Sequence, residues 1–379
     1  MTVSLAPRTP SRNASLSDLA ALLQEQQDRK LDVVAPAAAI RADSGRLIIQ
    51  GTNHELTASG VTARAGAFQP TGVCEGGLAE KLGIPVGYLR KTRVEAPELW
   101  DANVNGWMDR NDRSFMIRTL RPTNEGDGVA RAFLSNGYRI IDNLDILTAA
   151  LDGVRQAGAN VRIDSCDLSD KRMYVRIVSD EIRAYAPALL RNYRSPFTNA
   201  RGADNPIVFA GFEVSNSETG CGAFTIVPRM VVQVCNNGMT ITKDAVRNVH
   251  IGGRQDDGVV RWSDRTQTRT LELVTSQTAD AVRTFLNQDY MNRHLRGIEA
   301  AAGTRITDPE ATIATVSQRL RFTDSTRAAV FAHFIAGADG TAGGVLHAVT
   351  SVAQTLPDPD EAHDLESLGL RAMQLAAAG

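Results

Sequence analysis

The sequence predicts an α+β protein, with an antiparallel β-sheet core and packed helices, followed by a mainly α-helical C-terminal region. Three observations predict it. Short β-branched and aromatic runs with period-two alternation crowd residues 114–235. One amphipathic helical pattern interrupts them at 144–156. From about residue 263 the apolar spacing becomes helical and stays so to the end. A hairpin, a helix and then further antiparallel strands argue for layered α+β packing, not a doubly wound sheet.

In chain order, residues 1–13 are polar, carry Pro7 and Pro10, and read as a disordered tail. Ser15 or Ser17 caps a helix over 18–30, with Leu19, Leu22 and Leu23 on one face. Short strands at 46–50 and 55–62 flank a turn at Gly51-Thr52-Asn53-His54. Residues 74–89 read as helix-loop-helix, Gly83 ending one helix and Pro85 opening the next. That punctuation also occurs in DNA-reading helix pairs, but a single such turn is better explained by packing. Strands at 114–120 and 129–134 form a hairpin across the loop Asn124-Glu125-Gly126-Asp127-Gly128. Asp142 or Asn143 caps the helix at 144–156, and Gly158 closes it. Strands follow at 159–168 and 172–179, then at 207–216, 222–227 and 228–235, as a meander in the same sheet. Helices are expected at 270–288, 310–320, 326–335, 343–354 and 361–378. The organisation expected is a tail at 1–13, an N-terminal α/β region at 14–112, a β-rich core at 113–260 and a helical region at 261–379.

The chain has 379 residues, of which 43% are hydrophobic and 22% charged, so it can bury a sizeable core. Its formal net charge of −2 excludes whole-molecule attraction to polyanions, so any such site must be local. Only five of its 41 basic residues are lysine. Arginine suits bidentate phosphate contacts and stacking on bases, although coding bias gives the same skew. Cys74, Cys166, Cys221 and Cys235 stand singly and read as core thiols of a reducing compartment, with Cys221 and Cys235 on adjacent strands. No apolar run reaches bilayer length, so a cytoplasmic protein with no membrane partner is expected.

Metal, nucleophile-elbow and phosphate-loop motifs are missing from the sequence. Gly252-Gly253 and Asp256-Asp257 read as loops. No cofactor, no metal and no catalytic residue is expected, and an enzyme is the less favoured class.

The remaining constellation is basic and aromatic. Residues 113–201 hold 14 Lys and Arg against 10 Asp and Glu. Arg172, Tyr174 and Arg176 share one face of their strand, and Met173, Val175 and Ile177 share the other. Guanidinium groups flanking a ring suit a phosphate backbone with a stacked base. Arg191, Tyr193, Arg194 and Arg201 extend this set in the following loop, and Arg131, Tyr138 and Arg139 precede it. The competing reading is a solvated strand whose arginines pair with acids such as Asp164, Asp167, Asp170 and Glu181.

The segment from Ala130-Arg131-Ala132-Phe133-Leu134-Ser135 through Tyr138-Arg139 to Asp142-Asn143 resembles the "RAFLS-x-x-Y-R-x-x-D-N" motif of the phage/plasmid-like proteins of domain-of-unknown-function family 932. Gly211 to Gly220, with Asn216-Ser217-Glu218, resembles its "G-x-x-x-x-N-S-E-x-G" segment. Val234-Cys235-Asn236-Asn237-Gly238-Met239 resembles its "V-C-x-N-G-M" strand end, and Ala348-Val349-Thr350 its "A-V-T" ending. Leu346-His347 stands where that family carries an aromatic. The resemblance implies a prokaryotic mobile element and no enzyme activity. Gly137, Gly220, Asn216 and Asn237 suit turns, and Glu218 with Arg139 suits an ion pair or a partner contact.

The function expected is single-stranded DNA binding, as an annealing or recombination accessory of a phage, prophage or plasmid, with single-stranded DNA and a second copy of the chain as partners. The alternative is a protein-interaction or anti-defence module. A third reading, an enzyme with Glu213, Asn216, Glu218 and Arg139 around a pocket, requires a concave site.

Overall fold

A computed structural model of the chain describes residues 11–57, 60–123, 126–138, 141–235, 238–248 and 263–379. Arg139, Asn236, Asn237, His250, the Gly252-Gly253 and Asp256-Asp257 pairs, the boundary near 260 and most of the expected tail lie outside these residues.

The strands are β1 (Ser11–Ala14), β2 (Lys30–Pro36), β3 (Ile40–Asp43), β4 (Arg46–Thr57), β5 (Gly60–Pro70), β6 (Ser114–Leu120), β7 (Gly128–Ser135), β8 (Arg162–Leu168), β9 (Met173–Tyr185), β10 (Ile207–Asn216), β11 (Phe224–Val232), β12 (Gly238–Thr240) and β13 (Val246–Asn248). The helices are α1 (Leu16–Arg29), α2 (Gly72–Leu82), α3 (Val86–Glu95), α4 (Pro97–Met108), α5 (Asn143–Ala157), α6 (Pro187–Leu190), α7 (Asp264–Phe285), α8 (Gln288–Ala302), α9 (Pro309–Leu320), α10 (Asp324–Gly337), α11 (Ala342–Thr355), α12 (Pro359–Ser367) and α13 (Gly369–Ala378). The α+β class, the antiparallel core and the helical C-terminal region are all present.

The strands divide into two sheets. The first has the order β2-β6-β7-β5-β4-β3, and the second β1-β8-β9-β10-β11-β12 with β13 also on β11. The hairpin β6–β7 therefore belongs with the N-terminal strands and not with the later meander. Pairing is antiparallel except between β5 and β7. Ser11–Ala14, with residues 11–13 expected in the tail, pairs with β8 as an edge strand. The turn expected at 51–54 is instead an irregularity inside the long strand β4, where the register with β5 shifts between Ile49 and Asn53.

Residues expected as two strands, 222–227 and 228–235, form the single strand β11, with Pro228 inside it. Proline lacks an N–H and is tolerated where no ladder bond is needed. On its outer side β11 pairs with β13 through Phe224–Ile226 and with β12 through Arg229–Val231, so Pro228 falls in the gap between the two partners.

Each sheet buries an apolar face. Phe115, Ile117, Phe133, Ile40, Leu47, Ile49 and Phe68 of the first sheet pack on α2 and α4 through Leu78, Trp100 and Val104. In the second, Met173, Val175, Ile177, Phe212, Val214, Phe224 and Ile226 pack on α1, α5 and α7. Fully burying such a side chain contributes about 1.5–3 kcal/mol. The C-terminal helices form a third core with β12 and the far ends of β10 and β11. Gly83 and Gly158 end α2 and α5 in the left-handed conformation, as expected. The single helix expected at 361–378 is broken at Leu368 into α12 and α13, and Gly369 lies so close to α11 that a Cβ there would sit 2.8 Å from Thr350 Cγ2. No helix among the described residues is long and apolar enough to cross a membrane.

Candidate nucleic-acid interface

Tyr174 and Arg176 share one face of β9. Register puts Asp167 opposite Tyr174 and Ser165 opposite Arg176 on β8, and Ser215 and Glu213 opposite them on β10. Arg229 of β11 lies opposite Gly211, and Thr240 of β12 opposite Arg229. The second sheet therefore carries a polar ladder on the face turned away from α5 and α7.

That face is closed. Tyr174 is fully buried and Arg176 is 5% exposed. Arg176 Nη1 lies 2.5 Å from Asp167 Oδ2, and its Nε lies 3.0 Å from Glu213 Oε2. Tyr174 donates its hydroxyl to Asp360 Oδ1 at 2.8 Å and stacks on His363, ring centroids 4.6 Å apart. Arg229 Nη2 reaches Glu366 at 2.8 Å. Asp360, His363 and Glu366 all come from α12, which lies across the ladder. The shared face of Arg172, Tyr174 and Arg176 was legible, but it is not an open cationic surface: neighbouring strands supply acids to Arg176, and α12 covers the rest. Arg172 precedes the strand, gives two hydrogen bonds to the Cys221 carbonyl and lies 3.7 Å from Asp364.

Burial pushes the Glu213 carboxyl up, but His363 and Arg176 outweigh it and hold it at about 2. Burial pushes His363 down, while Glu213 outweighs that and raises it above the ordinary histidine value. A depressed carboxylate contributes stability above its unfolded pKa that is lost as pH falls through the folded one. A raised histidine contributes stability at low pH that is lost as pH rises through its folded pKa. Melting temperature is therefore expected to fall below about pH 4.5 on the Glu213 account and again above about pH 6.5 on the His363 account. In thermal melts, His363→Asn should remove the second decline and weaken the first without abolishing it, since Glu213 loses its His363 partner but keeps Arg176; an unchanged alkaline limb would contradict the assignment.

Arg131 is also buried, 2.5 Å from Glu218 Oε1. Around it, Arg118 joins Asp32 at 3.1 Å, Asp142 at 2.6 Å and Glu218 at 3.6 Å. Glu218 accepts from the Asn143 N–H at 2.8 Å, so it is Glu218 that caps α5, whereas Asp142 makes no side-chain cap. Asn216 donates to Asn143 Oδ1 at 2.8 Å. The motif residues Asn216, Glu218, Asp142, Asn143 and Arg131 thus meet at one junction between the sheets. The void beside Glu218 is about 10 Å³, room for about one water. Glu213 and Glu218 are spent on internal ion pairs, which removes the basis for a substrate pocket around them. A larger cleft between the sheets, about 460 Å³, is lined by three cations and four carboxylates. Among the described residues no cluster of three His, Cys, Asp or Glu side chains could hold a metal. The cysteines are thiols, and Cys221 sits in a loop, not on a strand next to Cys235. Tyr138 is half-buried near Gly220.

The remaining predicted residues lie in an arm, residues 183–205, that runs from the end of β9 to the start of β10. Tyr193 is its buried root, 2% exposed and stacked on His347 at 4.1 Å. Burial pushes His347 down to about 4, which keeps it neutral against the ring. Arg194 N–H donates to the Gly337 carbonyl and Gly202 N–H to the Tyr193 carbonyl. Ser195 Oγ accepts from Phe197 N and Thr198 N, turning the chain back at the tip. Arg194 and Arg201 face each other in an antiparallel bridge. Arg183, Arg191 and Arg201 are exposed and Arg194 is half-buried. Tyr185 and Phe197 are 68% and 47% exposed. Tyr185 and Phe197 were not among the predicted site residues, although Tyr185 alternates with Arg183 on β9.

No family model matches the chain, and neither a curated protein nor a solved structure matches it.

Proposed function

We propose that the chain binds single-stranded nucleic acid through the arm at residues 183–205, in the mobile-element setting that the resemblance implies. The observation that carries this reading is the Arg194–Arg201 bridge. Like charges directly opposite on paired strands repel. Neither arginine has a carboxylate within ion-pair distance among the described residues, and the arm holds four arginines against the single acid Asp204. A polyanion relieves that repulsion. Exposed rings at Tyr185 and Phe197, in the same arm as the cations, favour unpaired bases, which alone offer a free π-face. The buried Tyr193 root holds the loop in place, so little ordering cost falls on binding.

The test is a salt titration with a labelled twenty-nucleotide oligothymidine. Four phosphate contacts give a log–log slope of about −3 for single strands. Replacing Arg191, Arg194 and Arg201 with alanine should weaken binding and flatten the slope by about 2. Affinity indifferent to salt, or to the triple substitution, would overturn the assignment.

A further inference from the structure

We propose that α12 is a displaceable acidic strap, filling a second polyanion-binding face on the second sheet that opens when α12 leaves. This rests on the reading of the chain as a nucleic-acid binder, but concerns a different surface.

The segment 358–366 holds five carboxylates and no Lys or Arg. Four of its groups sit where a nucleotide chain would be held. Asp360 Oδ2 lies 3.8 Å from Lys171 Nζ, Asp364 3.7 Å from Arg172, and Glu366 2.8 Å from Arg229. His363 lies nearly parallel to Tyr174, 30° between the ring planes, as a base would stack. Among the described residues, Lys171, Arg172 and Arg229 have no ion-pair partner outside α12. Arg176 keeps Asp167 and Glu213 from the sheet itself, so departure of α12 leaves the ladder ordered and unmasks three cations beside a tyrosine ring.

The helix can leave without unravelling its neighbours. It has nine residues, and its N-cap Asp358 lies between Pro357 and Pro359. Its apolar hold is short: Ala362 and Leu365 are its buried aliphatic side chains beyond the first-turn Pro359. α13 is held separately, by the contact of Gly369 and Ala372 with α11 and the third core. The remaining attachments are ionic or hydrogen-bonded; phosphate oxygens reproduce those to Lys171, Arg172, Arg229 and the Tyr174 hydroxyl, while the His363–Glu213 pair at 2.7 Å is given up and Glu213 keeps Arg176.

The experiment is hydrogen exchange on the full chain, alone and with saturating twenty-nucleotide oligothymidine. Exchange of α12 amides should rise about tenfold or more with oligonucleotide, corresponding to a loss of roughly 1.4 kcal/mol in local stability, while α11 and α13 stay unchanged. Unchanged or slower exchange in α12 would overturn the strap and leave the arm standing. A second arm of the test uses Asp360→Asn with Glu366→Gln in the arm-substituted background. Recovery of salt-sensitive oligonucleotide binding there supports the strap independently of the arm. If the intact chain binds nothing but the strap-loosened chain does, the arm reading fails and the strap stands. If neither binds, both fail.

Discussion

Arg118→Ala should destabilise the fold by about 3–5 kcal/mol at neutral pH, seen as a lowered urea midpoint with an unchanged slope. Arg118 is 1% exposed and spans three carboxylates from β2, the start of α5 and the loop after β10. It also donates to the Glu218 carbonyl at 2.9 Å. After its removal, Asp142 keeps Lys30 and Glu218 keeps Arg131. Asp32 keeps no cation within ion-pair distance among the described residues, and burial already raises its pKa. The cost is the charge left behind. It should therefore shrink as pH falls and the stranded carboxyls take up protons, and Arg118→Ala with Asp32→Asn should cost less than the single substitution. A cost below 1 kcal/mol at pH 7 would mean that the junction does not hold the sheets together.

Trp100→Ala should cost about 3–5 kcal/mol, whereas Trp100→Phe should cost less than about 1.5. Trp100 is fully buried on α4 against the first sheet. Its Nε1 has no hydrogen-bond partner, so phenylalanine forfeits no bond while keeping most of the packing. Thermal unfolding of the two variants separates the cases. Equal losses would contradict this account of the site.

Local signals in the sequence carried much of the fold. The strand at 207–216 and the glycine stops at Gly83 and Gly158 come from patterns within a few residues. Pairing partners do not. Period-two alternation says that Tyr174 and Arg176 share a face, but not what covers it. The cover, Asp360 with His363, lies 186 residues further along for the Tyr174 bond. The same limit hid the division into two sheets, because β6–β7 and β9–β11 alternate alike. It hid the role of Glu218 too: its position after a strand gave no sign that it reaches back to cap α5. The arm was legible in part, since Arg191 and Arg194 stand free of nearby acids in the sequence and Arg201 has only Asp204 near it. Tyr193 was placed among the contacts because an aromatic between arginines reads the same whether it faces solvent or His347.

Photocrosslinking with an iodouracil-substituted single strand, followed by mass-spectrometric location of the adducts, tests most directly where the ligand lies. The expected result is adducts on Tyr185 and Phe197, lost on raising salt and on replacing Arg191, Arg194 and Arg201 with alanine. Adducts confined to residues outside 171–205 and the ladder under α12, or adducts that survive high salt, would contradict it.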